Sequence, residues 1–314
     1  MTPAALAVDA GQTEIRAALT GGPAPISSTA PGVLRLGGET GPDDVAAALL
    51  AAVAGLGALP EPTPSAGIGL SGFEAASEGD LRRVHELLRD ELGLRRLAIA
   101  SDGLTSLLGA LGDRAGAVVA AGTGAVCVAR NGERITKVDG WGSLLGDAGS
   151  GFAIGRAGLD AALRHLDGRG GSKALLRAAE GRFGPATELP SRVHTALVPT
   201  RLVASFAADV AREAAAGDER AAAILRDAGR ELATSACAAL ARLFTPGEEA
   251  VVSYAGNVFL AGAALLDAFR HEVAARRPGT QIVAPAGDSL AGAALLAERA
   301  QMLRPERGIL WRAA

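Results

Sequence analysis

The chain has 314 residues, 49% hydrophobic and 21% charged, enough for a normal packed core and about two domains. Lys and Arg number 31 against 34 Asp and Glu, a formal charge of −3, which excludes the basic face that nucleic acid or an anionic membrane surface would need. Aromatic residues are only 3%, so Ala, Val, Leu and Ile must build the core, and with 42 glycines no single Gly is a signal by itself.

In chain order, strands are predicted over 5–9 and 13–19, with a turn at Gly11 between them. A third strand has only a sparse β-prone signal, around 33–37. Pro42-Asp43-Asp44 opens a helix over 43–55 with acids in its first turn. A Pro-rich linker at 59–64 leads to a strand ending at Gly72, a charged helix at 78–92, a strand at 96–100 and a helix at 103–111. This β-β-β-α-β-α-β order predicts a mixed sheet covered by helices. Near Ala117 the pattern restarts. Strands at 117–121 and 125–129 flank a second Gly turn, and Asn131-Gly132 signals a tight hairpin before a strand at 135–138. After a loop at 139–151 the chain is helical to about 243. A strand at 250–253, a helix from 258 to about 275, a strand at 281–284 and a helix at 289–303 follow, and 304–314 carries no clear signal. No run reaches the roughly 18 apolar residues of a membrane helix. Asp9 interrupts the first apolar run at strand length, so no signal peptide is expected and a cytoplasmic location follows. Cys127 and Cys237 lack C-x-x-C spacing, which excludes a sequence-readable zinc ribbon or thiolate cluster.

The two Gly turns repeat one pattern, ALAVDAGQTEIRAA from Ala5 and AVVAAGTGAVCVAR from Ala117. A Gly turn followed by a strand is a hairpin tip, where backbone N–H groups can hold phosphate oxygens. Asp9 beside the first tip can hold Mg²⁺ next to a phosphate tail, and Thr13 can add a hydroxyl; the bland alternative is an ordinary Asp–Gly turn. Gly122-Thr123-Gly124 is the second tip, and the β-like segment after it argues against a dinucleotide fingerprint. Asp102 ends a strand and opens a helix, so it is either a base at a ligand crevice or a helix cap. Gly140-Trp141-Gly142 through Asp147 puts an aromatic between glycines, able to line a polar ligand's apolar face, with Asp147 to accept hydrogen bonds from sugar hydroxyls; the bland alternative is a structural turn. Tyr254-Ala255-Gly256-Asn257 suits adenosine or a phosphate, whereas Gly287-Asp288-Ser289 reads as a helix cap. The four histidines are scattered, and Ser71 lacks the G-x-S-x-G elbow of a serine hydrolase.

In order, VDAGQT, GLSG, ASDG, AAGTGA, GWGSLLGDAGSG and YAGNV resemble the actin-like ATPase superfamily, in particular its N-acetylglucosamine kinase branch, which is related to the ATPase subunits of benzoyl-CoA reductase. The resemblance spans nearly the whole chain. It implies two ribonuclease-H-like α/β domains with mixed sheets flanked by helices and a central cleft. They are expected at 1–114 and 115–296, with a C-terminal helix at about 297–314 able to pack back on the first. It implies ATP contacts at Gly11, Gln12, Thr13, Gly122, Thr123, Gly124, Gly256 and Asn257, and Mg²⁺ at Asp9. It implies Asp102 as catalytic base, and sugar contacts at Ser71, Asp102, Thr123, Gly140, Trp141 and Asp147. Ala10, Glu14, Ala125 and Ala148 depart from the family pattern, the last removing an acid from the sugar loop. The expected activity is transfer of the γ-phosphoryl group of ATP to an amino sugar, with no nucleic-acid or membrane partner and with a homodimer allowed. A non-enzymatic sugar or nucleotide sensor and an ATPase activating a partner are the alternatives. A redox ATPase ranks low because two isolated cysteines cannot hold a cluster.

Overall fold

The structure, a computed structural model, describes residues 4–11, 14–21, 26–32, 36, 40–60, 65–94 and 96–312. Gln12 and Thr13 of the first turn, most of 33–37 and the core of the 59–64 linker lie outside the described residues. Strands β1 (Ala5–Ala10), β2 (Glu14–Thr20) and β3 (Ile26–Pro31) lead to helix α1 (Pro42–Ala54). Then come β4 (Ser65–Leu70), α2 (Glu78–Leu92), β5 (Leu97–Ser101) and α3 (Asp102–Leu111). Strands β6 (Gly116–Ala121), β7 (Ala125–Asn131) and β8 (Arg134–Asp139) follow. A helical stretch holds α4 (Gly151–Leu166), α5 (Lys173–Phe183), α6 (Leu189–Thr195), α7 (Pro199–Ser205), α8 (Ala207–Ala215) and α9 (Glu219–Leu243). The chain closes with β9 (Val251–Ala255), α10 (Ala263–Arg276), β10 (Gln281–Ile282), α11 (Ser289–Arg299) and β11 (Leu310–Arg312).

Two compact units result. One comprises Met1–Val118, Val128–Thr136 and Ala284–Ala314; the other comprises Val119–Cys127 and Lys137–Val283. The first sheet runs β11-β5-β4-β1-β2-β3. It is mixed: β1, β4 and β5 are mutually parallel, whereas β2, β3 and β11 pair antiparallel with their neighbours. Leu6, Val8 and Ala10 point to one face, where they join Val45 and Leu49 of α1 and Leu81, Val84 and Leu88 of α2 in the buried core. The alternation follows from the strand period of two. On the other face lies α11, packed on β1, β4 and α3. There the backbones meet without side chains between them. A Cβ on Gly109 would strike the Asp288 carbonyl, and one on Gly292 would strike that of Thr105. The second sheet runs β10-β9-β6-β7-β8. In the second unit, Gly155 and Gly158 of α4 let α7 and α8 close in through Val203, Phe206 and Val210.

α2 is anchored by a capping box, in which Ser77 Oγ accepts from Asp80 N and Asp80 accepts from Ser77 N. Its bounds match the expectation. Three expectations need correction. The third strand lies at Ile26–Pro31, ahead of 33–37, and its paired partner is β2. The helix expected from 258 begins as a 3-10 turn at Asn257–Leu260, and α10 starts only at Ala263. The C-terminal segment is not a single helix from 297: α11 ends at Arg299, and Leu310–Arg312 adds an antiparallel edge strand to β5.

Candidate active site

Three candidate residues of the first unit stand at one edge of its sheet. Asp9 lies near the C-terminal end of β1, Ser71 just past β4 and Asp102 just past β5. The three strands are parallel neighbours, and the carboxyl ends of such strands are where α/β proteins bind ligands. Ser71 donates from its N–H to Ala10 O at 3.0 Å and from its Oγ to Asp102 Oδ2 at 2.7 Å. Asp102 is not the cap of α3. Ser101 is, its Oγ accepting the Leu104 N–H at 3.3 Å. Asp102 becomes the first residue of the helix, where the macrodipole favours its charge, and its carboxylate turns to Ser71.

Asp9 sits directly across the hairpin from Arg16. Arg16 Nη2 donates to Asp9 Oδ2 at 2.6 Å, and Ser289 Oγ donates to the same oxygen at 2.7 Å. Arg16 Nη1 reaches Asp288 Oδ2 at 2.6 Å. Burial pulls the Arg16 pKa down, but its bonds to the two carboxylates outweigh that and leave it above the ordinary value. Burial pushes the Asp288 carboxyl up, yet the Ala291 N–H and Arg16 hold it below the usual range. Asp288 also caps α11, as its sequence suggests. Arg16 and Ser289 are functional candidates that the sequence reading passes over. Positions 9 and 16 flank a tight turn, so their cross-strand pairing was an available signal for Arg16; nothing local marks Ser289. Gly11 closes its turn by donating to Glu14 O at 3.0 Å.

In the second unit, Gly122 N–H donates to Gly124 O at 2.8 Å, closing the turn between β6 and β7. A Cβ on Gly122 would meet nothing within 4 Å, so the turn faces open space. Among the described residues no backbone bond is formed by the N–H of Thr123 or Gly124. The turn is braced by the start of α4: Gly151 N–H donates to Gly122 O at 2.8 Å and Phe152 N–H to Thr123 O at 3.1 Å. Gly256, at φ 94, follows β9, and a Cβ there would strike the backbone of Ala121 at the end of β6. The Gly122–Gly124 turn and the Gly256-Asn257 segment therefore leave adjacent strands side by side.

The loop after β8 is organised by Asp139, which the sequence reading missed. Its Oδ1 accepts the N–H groups of Gly140 and Asp147, both at 2.8 Å, and its Oδ2 accepts that of Ala148 at 2.9 Å. Asp139 and Asp147 are the only non-Gly residues at positive φ among the described residues, at 62° and 59°. Such a conformation costs of order 1–3 kcal/mol and persists only where surrounding bonds impose it, most often at functional sites. Asp147 is 7% exposed; its Oδ1 accepts Gly142 N–H at 3.1 Å, and a Cβ on Gly124 would lie 2.6 Å from its Oδ2. The buried carboxylate thus links the loop to the Gly122–Gly124 turn. At the loop's tip Trp141 is 71% exposed, with Lys137 Nζ 5.3 Å from its ring centroid, and Leu144 is 92% exposed.

Among the described residues no three His, Cys, Asp or Glu side chains gather as metal ligands. Asp9, ion-paired with Arg16 through Oδ2, would offer a cation a single carboxylate, a donor set suited to a cation held mostly by phosphates and water rather than by a protein cage. Burial pushes up the thiol pKa of both Cys127 and Cys237. No helix of the described residues is long and apolar enough to cross a membrane.

Comparison with known proteins bears on the same elements. An N-acetylmuramic acid/N-acetylglucosamine kinase of Clostridium acetobutylicum is 28% identical over 233 residues, 73% of this chain and 76% of its own. A solved structure from Chromobacterium violaceum, provisionally described as an N-acetylglucosamine kinase, is 29% identical with a TM-score of 0.70, covering 94% of this chain and 99% of its own. A glucokinase of the ROK family from Streptomyces griseus shares the fold at 18% identity and a TM-score of 0.59, covering 94% and 99%. The model of the BadF/BadG/BcrA/BcrD ATPase family matches residues 31–297. The chain belongs to the BadF/BadG/BcrA/BcrD ATPase family.

Proposed function

We propose that this chain is an ATP-dependent kinase that transfers the γ-phosphoryl group to an amino sugar, at the 6-hydroxyl of N-acetylglucosamine or glucosamine. The observation that carries the reading is Asp102. Its carboxylate stands at the C-terminal edge of parallel strands, is oriented by Ser71 at 2.7 Å, and is relieved of capping by Ser101. A carboxylate so placed can accept the proton of an attacking hydroxyl. The hydroxyl oxygen forms its bond to the γ-phosphorus, the β–γ bridge breaks, and the proton passes to Asp102 while ADP leaves. Phosphoryl transfer asks little else of a protein than positioning and charge stabilisation. The N–H groups of Thr123 and Gly124 suit phosphate oxygens, the sequence at Gly11 suggests the same role for the first turn, and Gly256-Asn257 suits the adenosine. Trp141 offers an apolar face for the sugar, with Gly140, Thr123, Asp147 and Ser71 as its polar contacts. Asp9 would hold Mg²⁺, which when bound neutralises charge on the phosphate oxygens. The relatives from Clostridium acetobutylicum and Chromobacterium violaceum support the substrate class.

A coupled ADP-release screen over glucosamine, N-acetylglucosamine and glucose tests the reading. ADP release that depends on an amino sugar is expected. ATP hydrolysis indifferent to every sugar would place the protein among ATPases acting on a partner instead.

A further inference from the structure

We infer that Asp139 is a positioning residue, the anchor that holds the 140–148 loop in the shape that takes the sugar. The inference rests on the kinase reading for the identity of the ligand, and on the loop's own geometry for the rest. Three backbone N–H groups converge on one carboxylate, from positions 140, 147 and 148. Both carboxylate oxygens are used, and they tie the first residue of the loop to its last two. The loop between them carries an exposed Trp141, Leu144 and Leu145, a surface without the apolar support that would otherwise fix its shape. Its internal order comes from turn bonds at Gly142, which accepts from Leu145 and Gly146, and from Asp147 Oδ1 accepting the Gly142 N–H. Asp147 makes that bond with its own backbone at φ 59, a conformation that the Asp139 bond to its N–H helps to brace. Lys137 adds a bond from Nζ to Gly140 O at 3.1 Å, on the strand side of the anchor. Asp139 is therefore placed to act through the loop.

An amide in place of the carboxylate has one acceptor oxygen instead of two, so Asp139→Asn must abandon at least one of the three N–H groups. Asp139→Glu keeps the charge but displaces it by a methylene, and serves as the second variant if Asn lowers folding yield. Two readouts on the full chain decide the matter. Hydrogen exchange at the amides of Gly140, Asp147 and Ala148 is expected to quicken about tenfold or more in Asp139→Asn, with amides of α9 unchanged. In steady-state kinetics the KM for the amino sugar is expected to rise about tenfold, with kcat and the KM for ATP within about threefold of the parent. Unchanged exchange at the three amides would overturn the anchoring. Faster exchange with an unchanged sugar KM would overturn its link to substrate. A parent protein that phosphorylates no sugar would sink the kinase reading alone, and the exchange result would still decide whether Asp139 fixes the loop.

Discussion

Asp102→Asn separates catalysis from folding. The substitution keeps the side chain's size and an oxygen that can accept from Ser71 Oγ, while removing the charge and the basicity. The helix behind it keeps its Ser101 cap, so α3 should stand. The stability loss is the difference between a charge-assisted and a neutral hydrogen bond, about 1 kcal/mol. To this is added about 0.3–1 kcal/mol for the lost charge at a helix N-terminus. The catalytic loss is larger. General-base contributions of ~10²–10⁴ correspond to about 2.7–5.4 kcal/mol of barrier. We therefore expect kcat to fall at least a hundredfold while ATP binding is nearly unchanged and the melting temperature drops by a few degrees. Coupled ADP release, calorimetric ATP titration and thermal melting measure the three quantities. A variant retaining more than about a tenth of the parent rate would refute the base role and leave Asp102 as a structural partner of Ser71.

Other outcomes follow from the same geometry. Asp9→Asn leaves Arg16 and Ser289 without their shared acceptor charge; a higher Mg²⁺ requirement and lower turnover are expected with sugar affinity little changed, and superimposable Mg²⁺ titrations of the two proteins would count against a metal role. Adding the right amino sugar should change intrinsic fluorescence, and the change should vanish in Trp141→Phe, because Trp311 packs in β11 against the core with its ring centroid 5.3 Å from that of His85. A signal that survives in Trp141→Phe would remove Trp141 from the sugar site. Burial and Arg89 lower the His85 pKa, so the folded protein holds that proton more weakly than the unfolded chain. The resulting stability is complete above the unfolded value of about 6.5 and is lost as pH falls below it. Thermal melts between pH 7.5 and 5 should slope less in His85→Gln, and an unchanged slope would show that His85 does not contribute.

Much of the fold was legible because its signals are local. The Ser77/Asp80 capping box starts α2, Gly132 turns the β7–β8 hairpin right after Asn131, and the two Gly turns sit between strands as their repeats suggest. What the sequence hid depends on distant partners. Leu310–Arg312 is three residues long and becomes a strand only because β5 offers an open edge some 210 residues earlier, a pairing with no local trace. Ser27 and Ser28 make Ile26–Pro31 look like a loop, yet β2 supplies a full ladder for it. At the site, Asp102 and Ser101 are adjacent capping residues, and composition could not tell which would cap and which would turn to Ser71. Asp139 reads as an ordinary strand-end acid, since its role rests on amides eight and nine residues away.

Incubating the protein with γ-labelled ATP, Mg²⁺ and N-acetylglucosamine or glucosamine, then locating the label by phosphorus–proton correlation, separates a sugar kinase from an ATPase. Label is expected on the sugar, bonded at the 6-position, in amounts equal to the ADP formed. Label recovered only as inorganic phosphate, at a rate the sugar does not alter, would contradict the kinase reading.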